Sequence, residues 1–263
     1  MRVNGSTVLL TGATGGLGTA LAQALAAKGA ALVLTGRRED ALKAVADRFG
    51  ARAVVADLAD PSDVERLASE CADVDVLVAN AALPSSGVVL DYTPAQIERA
   101  LAVNLHAPVL LARLLAPRMV EARRGHIAFV GSISGKAASR SSSLYNATKF
   151  GLRGFALAFR QDLHGTGVGV SLVQPGFVRE AGMFAATGAR PPAGVRTVSP
   201  AQVSAGVIRA VERNLCEVNV APAELKLLSA IAGQFPGFAE KVQGRMGVER
   251  TIAAIVNAQR DTR

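Results

Sequence analysis

The segment Thr7-Val-Leu-Leu-Thr-Gly-Ala-Thr-Gly-Gly-Leu-Gly18 indicates the fold of this 263-residue chain. An apolar run typical of a buried strand leads into a glycine-rich turn, and Ala- and Leu-rich helical sequence follows as far as Lys28. A strand, a glycine turn and a helix in this order form a dinucleotide-binding loop, because glycine lets the backbone approach the pyrophosphate and the helix N-terminus favours anions. We therefore expect a dinucleotide site near the start of the chain.

The spacing of the glycines fits two patterns. Gly12, Gly16 and Gly18 fit GxxxGxG, whereas Gly12, Gly15 and Gly18 fit GxxGxxG. Both patterns place glycine where the backbone must come close to a phosphate. The residues of the loop alone leave the choice between them open.

Two arginines follow the second predicted strand, 30–35, in the sequence Gly36-Arg37-Arg38. At this place, about 20 residues after the loop, an acidic residue would accept a hydrogen bond from the ribose 2′-hydroxyl of NAD(H). An arginine instead suits a 2′-phosphate, so the sequence favours NADP(H) over NAD(H). In the alternative interpretation both arginines are solvated residues at a helix start, and NAD(H) stays possible.

Strands and helices continue to alternate along the chain. The predicted strands that follow are 53–56, 74–79, 126–131, 168–173 and 217–221, and the predicted helices are 61–71, 94–121, 145–164 and 200–214. This alternation predicts an α/β fold in which helices cover both faces of a parallel sheet. Ligands of such sheets lie beyond the carboxyl ends of the strands, where Gly12, Asp57, Asn80 and Ser132 fall.

Tyr145 and Lys149 are four residues apart, so they lie on one face of the predicted helix. A phenol with a pKa of about 10 exchanges protons poorly at neutral pH. We expect the ammonium of Lys149 to lower the pKa of Tyr145 and make it an acid or base. Ser132 follows the strand 126–131, and its hydroxyl could meet the phenol at the end of that strand. The alternative is a chance Tyr–Lys pair on a helix surface.

Asn104 lies in the apolar sequence Leu101-Ala-Val-Asn-Leu-His-Ala107, within the long helix that Thr93-Pro94 is expected to cap. A buried amide needs hydrogen-bond partners. Asn104 therefore either repairs a distortion of the helix or holds a water that leads to Lys149, and it could do both.

Composition excludes several classes of protein. Cys71 and Cys216 are too few for a disulfide framework or a zinc site, and the three histidines lack metal-ligand spacing, so we expect no metal. The formal charge of +8 is spread along the chain and aromatic residues make up only 4%, which disfavours nucleic-acid binding. The first residues carry no targeting signal, and the charge-free apolar stretches, such as 227–239, are shorter than the ~18 residues of a membrane span. We therefore expect a cytoplasmic protein.

Two segments stand outside the alternating pattern. Residues 181–198, rich in Gly, Pro, Ala and Thr, form a long loop of the kind that covers substrates. The C-terminal segment 222–263 carries an apolar stripe interleaved with cations, formed by Leu225, Leu227, Leu228, Ile231, Phe235 and Phe238 with Lys226, Lys241 and Arg245. This stripe packs over the substrate pocket or against another subunit, or it lies in a membrane interface.

Residues 5–221 resemble the short-chain dehydrogenase/reductase superfamily, in its short single-domain branch. The matching motifs are Thr11-Gly-x-x-x-Gly16-x-Gly18, Asp57, Asn80-Ala81, Asn104, Ser132, Tyr145-x-x-x-Lys149 and Pro175-Gly176. The resemblance implies a Rossmann-like sheet with strand order 3-2-1-4-5-6-7, within one domain over residues 1–263 that ends in a helical extension, 222–263. The length of the chain then favours GxxxGxG, because the longer branch with GxxGxxG usually carries a substrate domain.

The resemblance also implies roles for the site residues. Tyr145 is expected to exchange the proton, Ser132 to hold the substrate oxygen, Lys149 to bind the nicotinamide ribose, and Asn104 to anchor a proton-relay water. Asp57 is expected to contact the adenine of the cofactor. The cofactor contacts implied are Gly12, Thr14, Gly15, Gly16, Leu17, Gly18, Arg37, Arg38, Asp57, Leu58, Asn80, Ala81, Tyr145, Lys149, Pro175, Gly176 and Val178. Relatives commonly form homodimers or homotetramers through the two helices that carry Asn104 and Tyr145.

The chain departs from the family pattern at two positions. Ala82 stands where the family has a glycine after the fourth strand, and Glu180 stands where the family often has a threonine that contacts the nicotinamide amide. The function that the resemblance implies is hydride transfer between NADP(H) and a carbonyl or secondary alcohol of a small substrate. We expect this substrate to be hydrophobic, because residues 181–198 carry few charges. The alternative is a non-catalytic NADP(H) sensor or scaffold that uses its apolar C-terminal segment to bind a partner or a membrane.

Overall fold

A seven-stranded parallel sheet forms the centre of the computed structural model, which describes residues 1–192, 194–243 and 249–260. The strands are β1 (Thr7–Thr11), β2 (Ala31–Gly36), β3 (Arg52–Val55), β4 (Val76–Ala79), β5 (Gly125–Val130), β6 (Val168–Pro175) and β7 (Glu217–Val220). Their spatial order is β3-β2-β1-β4-β5-β6-β7, and every neighbouring pair is parallel. The predicted fold class and strand order are therefore confirmed.

Helices cover both faces of this sheet. They are α1 (Gly16–Ala27), α2 (Glu39–Phe49), α3 (Pro61–Glu70), α4 (Pro94–Leu101), α5 (Ala107–Glu121), α6 (Ser143–Asp162), α7 (Gly182–Ala185), α8 (Pro200–Glu212), α9 (Ala223–Gln234), α10 (Pro236–Gln243) and α11 (Glu249–Gln259). The predicted bounds differ from these by at most two residues wherever the predicted element is continuous. Two apolar cores result, one on each face of the sheet.

The ends of several helices follow from local sequence. Thr93 caps α4 and Ser199 caps α8, each through a capping box in which a glutamine three residues later returns a hydrogen bond. Asp60 caps α3 by accepting from the Ser62 backbone N–H at 2.9 Å. Proline follows each of these caps, where its missing N–H costs no helical hydrogen bond.

The helix predicted over 94–121 is interrupted. Residues Ala102–His106 form one π-helical turn between α4 and α5, so one extra residue is accommodated around Asn104. Among the described residues, Pro94–Glu121 is the one helical run long and apolar enough to span a bilayer, and half of its most apolar window is buried inside the protein. This burial is typical of a core helix.

The described residues of the segment 181–198, which are 181–192 and 194–198, contain the one-turn helix α7 and otherwise lack regular structure, apart from a bridge that joins Val198 to Val178. Beyond β7, helices α9 and α11 pack back over the carboxyl end of the sheet, while Arg245 of the predicted apolar stripe lies outside the described residues, as does the side chain of Phe238. Leu227 and Phe235 of the stripe remain 63% and 64% exposed.

Candidate active site

A cavity of about 820 Å³ lies at the carboxyl edge of the sheet. The predicted cofactor residues that line it are Gly12, Thr14, Gly15, Gly16, Leu17, Gly18, Arg37, Asp57, Leu58, Asn80, Ala81, Tyr145, Lys149, Pro175, Gly176 and Val178. Arg38 does not line the cavity, because it is the residue before the first turn of α2 and its side chain is exposed. The cofactor contact of Arg38 therefore stays a prediction.

The glycine loop forms a cradle that larger residues would fill. Gly12 has φ +68°, and a Cβ atom there would lie 2.8 Å from the Cα of Ala81. A Cβ atom at Gly18 would overlap the carbonyl oxygen of Gly12. Helix α1 begins next to the cavity with neither a side-chain cap nor an acidic residue in its first turn, so its N–H groups suit an anion. The cradle thus fits a pyrophosphate.

The end of β4 is fixed to the end of β1 by hydrogen bonds. Thr11 Oγ1 accepts from the backbone N–H groups of Asn80 and Ala81, each at 3.0 Å. The Asn80 side chain donates to the Thr11 carbonyl, also at 3.0 Å. The sequence motif contained Thr11 but gave it no role, and its place as the last residue of β1 was the signal. Ala82 keeps a negative φ, so alanine is tolerated where the family has glycine.

Glu180, the other departure from the family pattern, has a left-handed backbone with φ +70°. Its carboxylate pairs with Arg179 at 2.8 Å and is largely exposed. The backbone that follows crosses the glycine loop, since a Cβ atom at Gly16 would lie 3.0 Å from the Gly182 nitrogen. The segment after β6 therefore covers the cradle with main chain.

Ser132, Tyr145 and Lys149 meet at the end of β5. The Ser132 hydroxyl is hydrogen-bonded to the Tyr145 phenol and also accepts from the Ser134 backbone N–H at 3.1 Å. Lys149 is 3% exposed, and its Nζ donates to the Val130 carbonyl at 3.3 Å and lies 5.8 Å from the centre of the Tyr145 ring. The two residues on one face of α6 and the serine after β5 are thus brought together.

The charges of this group differ from the expectation. Burial raises the pKa of Tyr145 above its ordinary value, and the hydrogen bond from Ser132 opposes this only in part. Burial also lowers the pKa of Lys149 to about 8. The prediction that Lys149 lowers the pKa of Tyr145 is therefore wrong for the protein without cofactor, because desolvation of the phenolate dominates.

Asn104 lies in the π-helical turn and lines neither cavity. Its Oδ1 accepts from the Leu83 N–H at 2.6 Å, and its Nδ2 donates to the Leu83 carbonyl at 2.9 Å. A longer contact of 3.4 Å joins Nδ2 to the hydroxyl of the buried Ser85. Asn104 thus fixes the segment after β4, and its predicted water stays a prediction.

The turn that carries Ser132 is tied to β7 by charge. Glu217 of β7 pairs with Lys136 Nζ at 2.8 Å and with Arg153 Nε at 3.1 Å, and Gln174 Nε2 also donates to it. Burial raises the pKa of this carboxyl, but hydrogen bonds from Arg153 and Lys136 outweigh burial and hold the pKa below its ordinary value. This cluster joins α6, β6 and β7 behind the site.

A second cavity, of about 320 Å³, adjoins the first. It is covered by apolar side chains of the 181–198 loop and of helices α9 and α11: Met183, Phe184, Val195, Leu225, Leu228, Ile231, Ile252 and Ile255. Among its described lining residues, Tyr145 is the one ionisable group. Packing over the substrate pocket was one of the alternatives that the sequence left open for the C-terminal segment, and this lining agrees with it. Sequence reasoning missed α11, whose cavity-facing residues recur at helical spacing.

Seven described residues line both cavities: Pro84, Ser132, Tyr145, Gly176, Met183, Phe184 and Gln259, the last at the end of α11. The Gln259 Oε1 accepts from the Ser86 N–H at 3.3 Å, which ties α11 to the segment that Asn104 fixes. The hydroxyl pair therefore stands where a molecule in one cavity meets a molecule in the other.

Asp57 and Arg99 form an ion pair in the lining of the larger cavity, with Arg99 Nη2 3.3 Å from Asp57 Oδ2. Arg37 and Thr14 line the same cavity, and each follows the end of a strand. Arg99 lies on α4, and sequence reasoning missed it because its helix is distant in sequence from Asp57.

Comparison with known proteins agrees with this geometry. The family model for short chain dehydrogenase matches residues 6–191. Ketoacyl reductase HetN of Nostoc sp. is 36% identical over 229 residues, which cover 83% of this chain and 79% of that protein. NADP-dependent 3-hydroxy acid dehydrogenase YdfG of Salmonella typhimurium is 36% identical over 183 residues, which cover 65% and 72%.

Solved structures give the same result. The crystal structure of a putative betaketoacyl-ACP reductase has a TM-score of 0.77 and 27% identity, covering 86% of this chain and all of that one. A short-chain dehydrogenase from Sphingobium yanoikuyae in complex with NADPH has a TM-score of 0.75 and 28% identity, covering 92% and 95%. With its matched family model, its related sequences and its sheet order, the chain belongs to the short-chain dehydrogenase family.

Proposed function

We propose that this protein is an NADP(H)-dependent oxidoreductase that transfers hydride between the nicotinamide and a carbonyl or secondary alcohol carbon of a small, largely apolar substrate. The observation that carries the proposal is the position of Tyr145 and Ser132, which line both the large and the small cavity. A proton donor at the junction of a cofactor cavity and a substrate cavity is what carbonyl reduction needs. The apolar roof of the smaller cavity supports a hydrophobic ketone, aldehyde or lipid-like substrate.

NADP(H) is the proposed cofactor. The glycine cradle fits the pyrophosphate, and Arg37 and Thr14 line the end of the cavity where a 2′-phosphate would lie. Three similar solved structures carry NADP or NADPH according to their titles, and the YdfG relative is named NADP-dependent, in agreement with the prediction of NADP(H).

The residues of the chain divide the chemistry between them. Bound NADPH supplies the hydride. Ser132 donates a hydrogen bond to the substrate oxygen and so orients the carbonyl carbon. Tyr145 donates its phenolic proton to that oxygen as charge develops on it. Lys149 binds the nicotinamide ribose, and its charge stabilises the phenolate that remains. Asn104 anchors the water that returns a proton to the site.

The test is Tyr145→Phe, with Tyr92→Phe as its matched control. Tyr92 is the other tyrosine of the chain and lines neither cavity. We expect Tyr145→Phe to lose about 10²-fold or more in NADPH oxidation with a panel of apolar ketones and aldehydes, since general acid catalysis contributes that much. NADPH binding, followed by cofactor fluorescence, should change little. Unchanged turnover in Tyr145→Phe would exclude the mechanism.

The alternative of a non-catalytic NADP(H) sensor or scaffold has less support. A sensor needs a cofactor cavity alone, whereas here a second cavity shares Ser132 and Tyr145 with it. Binding of NADPH without turnover of any carbonyl in the panel by the unaltered protein would favour the sensor.

The remaining proposals concern the whole molecule. We propose one domain over residues 1–263, with a substrate lid at 181–198 and a C-terminal extension at 222–263 that closes the smaller cavity. A cytoplasmic homodimer or homotetramer that binds no nucleic acid agrees with the composition and the family. Leu227 of α9 and Phe235, the residue after it, are exposed, so peripheral membrane contact stays a prediction. Co-sedimentation with anionic liposomes tests it.

A further inference from the structure

The carboxylate of Asp57 is held on both of its oxygens. Oδ1 accepts from the backbone N–H of Ala59 at 3.0 Å, and Oδ2 accepts from the Arg99 guanidinium at 3.3 Å. The backbone N–H of Asp57 in turn donates to Asp63 Oδ2 at 2.8 Å. The plane of this carboxylate is therefore held by one contact to each oxygen, and the backbone of Asp57 is held by a third hydrogen bond.

The ion pair contributes little to folding. The side chains of Arg99 and Asp57 are 37% and 38% exposed, and solvated ion pairs add little to stability. What the pair does fix is an orientation inside a cavity, since both residues line it. A carboxylate with one preferred orientation loses less freedom when a ligand binds than one that rotates.

We propose that Arg99 is a positioning residue for adenine recognition: it holds the Asp57 carboxylate so that this group accepts a hydrogen bond from the exocyclic amine of the base. The proposal rests on the proposed cofactor. Arg99 acts through Asp57 and not merely as a cation that attracts phosphates. These two roles differ in one measurable way, because attraction of phosphates is the same for any purine base.

The experiment compares NADPH with deamino-NADPH, in which hypoxanthine replaces adenine and an oxygen replaces the amine. Cofactor fluorescence gives the dissociation constant of each for the full-length protein. The unaltered protein should bind NADPH about 10-fold or more tightly than deamino-NADPH, as expected for a hydrogen bond to a charged group. In Arg99→Ala this ratio should fall to about threefold or less, whereas a purely electrostatic role would weaken both ligands equally and leave the ratio unchanged.

Two further variants complete the test. Arg99→Lys keeps the charge but loses the planar guanidinium, so the ratio should fall there as well. Arg124→Ala is the matched control, because it removes an ion pair of 3.4 Å with Asp75 that lies outside the cavity, and its ratio should equal that of the unaltered protein. In a double-mutant cycle, Arg99→Ala should leave the ratio of Asp57→Ala unchanged.

A ratio in Arg99→Ala equal to that of the unaltered protein would overturn the proposal, and so would an unaltered protein that binds both cofactors equally. Absence of NADPH binding by the unaltered protein would instead overturn the proposed cofactor. Thermal unfolding of each variant without cofactor checks that it is folded, and Arg99→Lys keeps the test valid if Arg99→Ala is not.

Discussion

Replacing Lys149 by methionine should stabilise the cofactor-free protein while removing its activity. Lys149 is 3% exposed and its ammonium donates to the Val130 carbonyl. Burial lowers the pKa of Lys149 from 10.5 to about 8, so the folded protein holds a charge that its surroundings disfavour. The buried charge of Lys149 therefore destabilises the fold. Methionine, which has a similar length, would fill the same space without a charge.

The magnitude follows from the two pKa values. The lowering of the Lys149 pKa from 10.5 to about 8 corresponds to about 3 kcal/mol of unfolding free energy that the charged lysine removes at pH 7. Methionine leaves the Val130 carbonyl without this donor, which costs about 1 kcal/mol. The net expectation is a gain of about 2 kcal/mol for Lys149→Met at pH 7.

The direction in which the free energy of unfolding changes with pH follows from proton binding at Lys149. Between pH 8 and 10.5 the unfolded chain binds more protons at Lys149 than the folded chain does, so the free energy of unfolding of the unaltered protein rises with pH across this window. The advantage of Lys149→Met should therefore shrink by about 3 kcal/mol from pH 7 to pH 10.5. Other titrations are common to both proteins and cancel in the difference.

Urea unfolding followed by circular dichroism, at several pH values from 7 to 10.5, measures this difference. A variant no more stable than the unaltered protein at pH 7, or a gap that stays constant with pH, would refute the reasoning. Carbonyl reduction by Lys149→Met should be lost in the same preparation. The variant would then be more stable but inactive, which distinguishes an effect on catalysis from an effect on folding.

Three further predictions concern other parts of the molecule. Glu217→Gln leaves two cations without their carboxylate and should cost about 2 kcal/mol at pH 7 by urea unfolding; because the folded pKa is depressed, this difference should vanish as pH falls below about 4.5. Gly18→Ala should abolish NADPH binding, whereas Gly154→Ala, where a Cβ atom meets nothing within 4 Å, should keep it and raise helix stability by about 0.5–1 kcal/mol. Arg37→Asp should shift preference from NADPH toward NADH in fluorescence titrations, whereas Arg38→Asp should not, since its side chain lies outside the cavity.

The sheet and the grouping of the site could be predicted because they depend on local pattern and on one geometric rule. Apolar runs between helical segments predict parallel strands, and parallel strands end at one edge, which brings Gly12, Asp57, Asn80 and Ser132 together. The sequence also signalled that Asn104 is unusual, since an amide in an apolar helix needs partners. It did not show the partners, because Leu83 meets Asn104 only through the packing of the π-helical turn.

Other features depend on contacts that no local pattern contains. The amphipathic character of α11 is visible in sequence, but its position over the smaller cavity is a tertiary contact, so Ile255 and Gln259 were not recognised as site residues. Arg99 was missed for the same reason. The pKa of Tyr145 was predicted with the wrong sign because spacing along a helix gives only the effect of the neighbouring charge, whereas burial, which the spacing does not contain, has the larger effect.

The raised pKa of Tyr145 has a consequence for the direction of catalysis. In the cofactor-free protein the phenol is protonated at neutral pH, and Lys149, with a pKa of about 8, is charged. Reduction of a carbonyl needs a protonated donor, so this state is ready to act once NADPH and substrate are bound. Oxidation of an alcohol needs the phenolate, which burial disfavours. We therefore expect oxidation to require higher pH, or the positive charge of the oxidised nicotinamide beside the phenol. The protonated phenol at pH 7 is therefore the form that proton donation needs, which agrees with the proposed reduction.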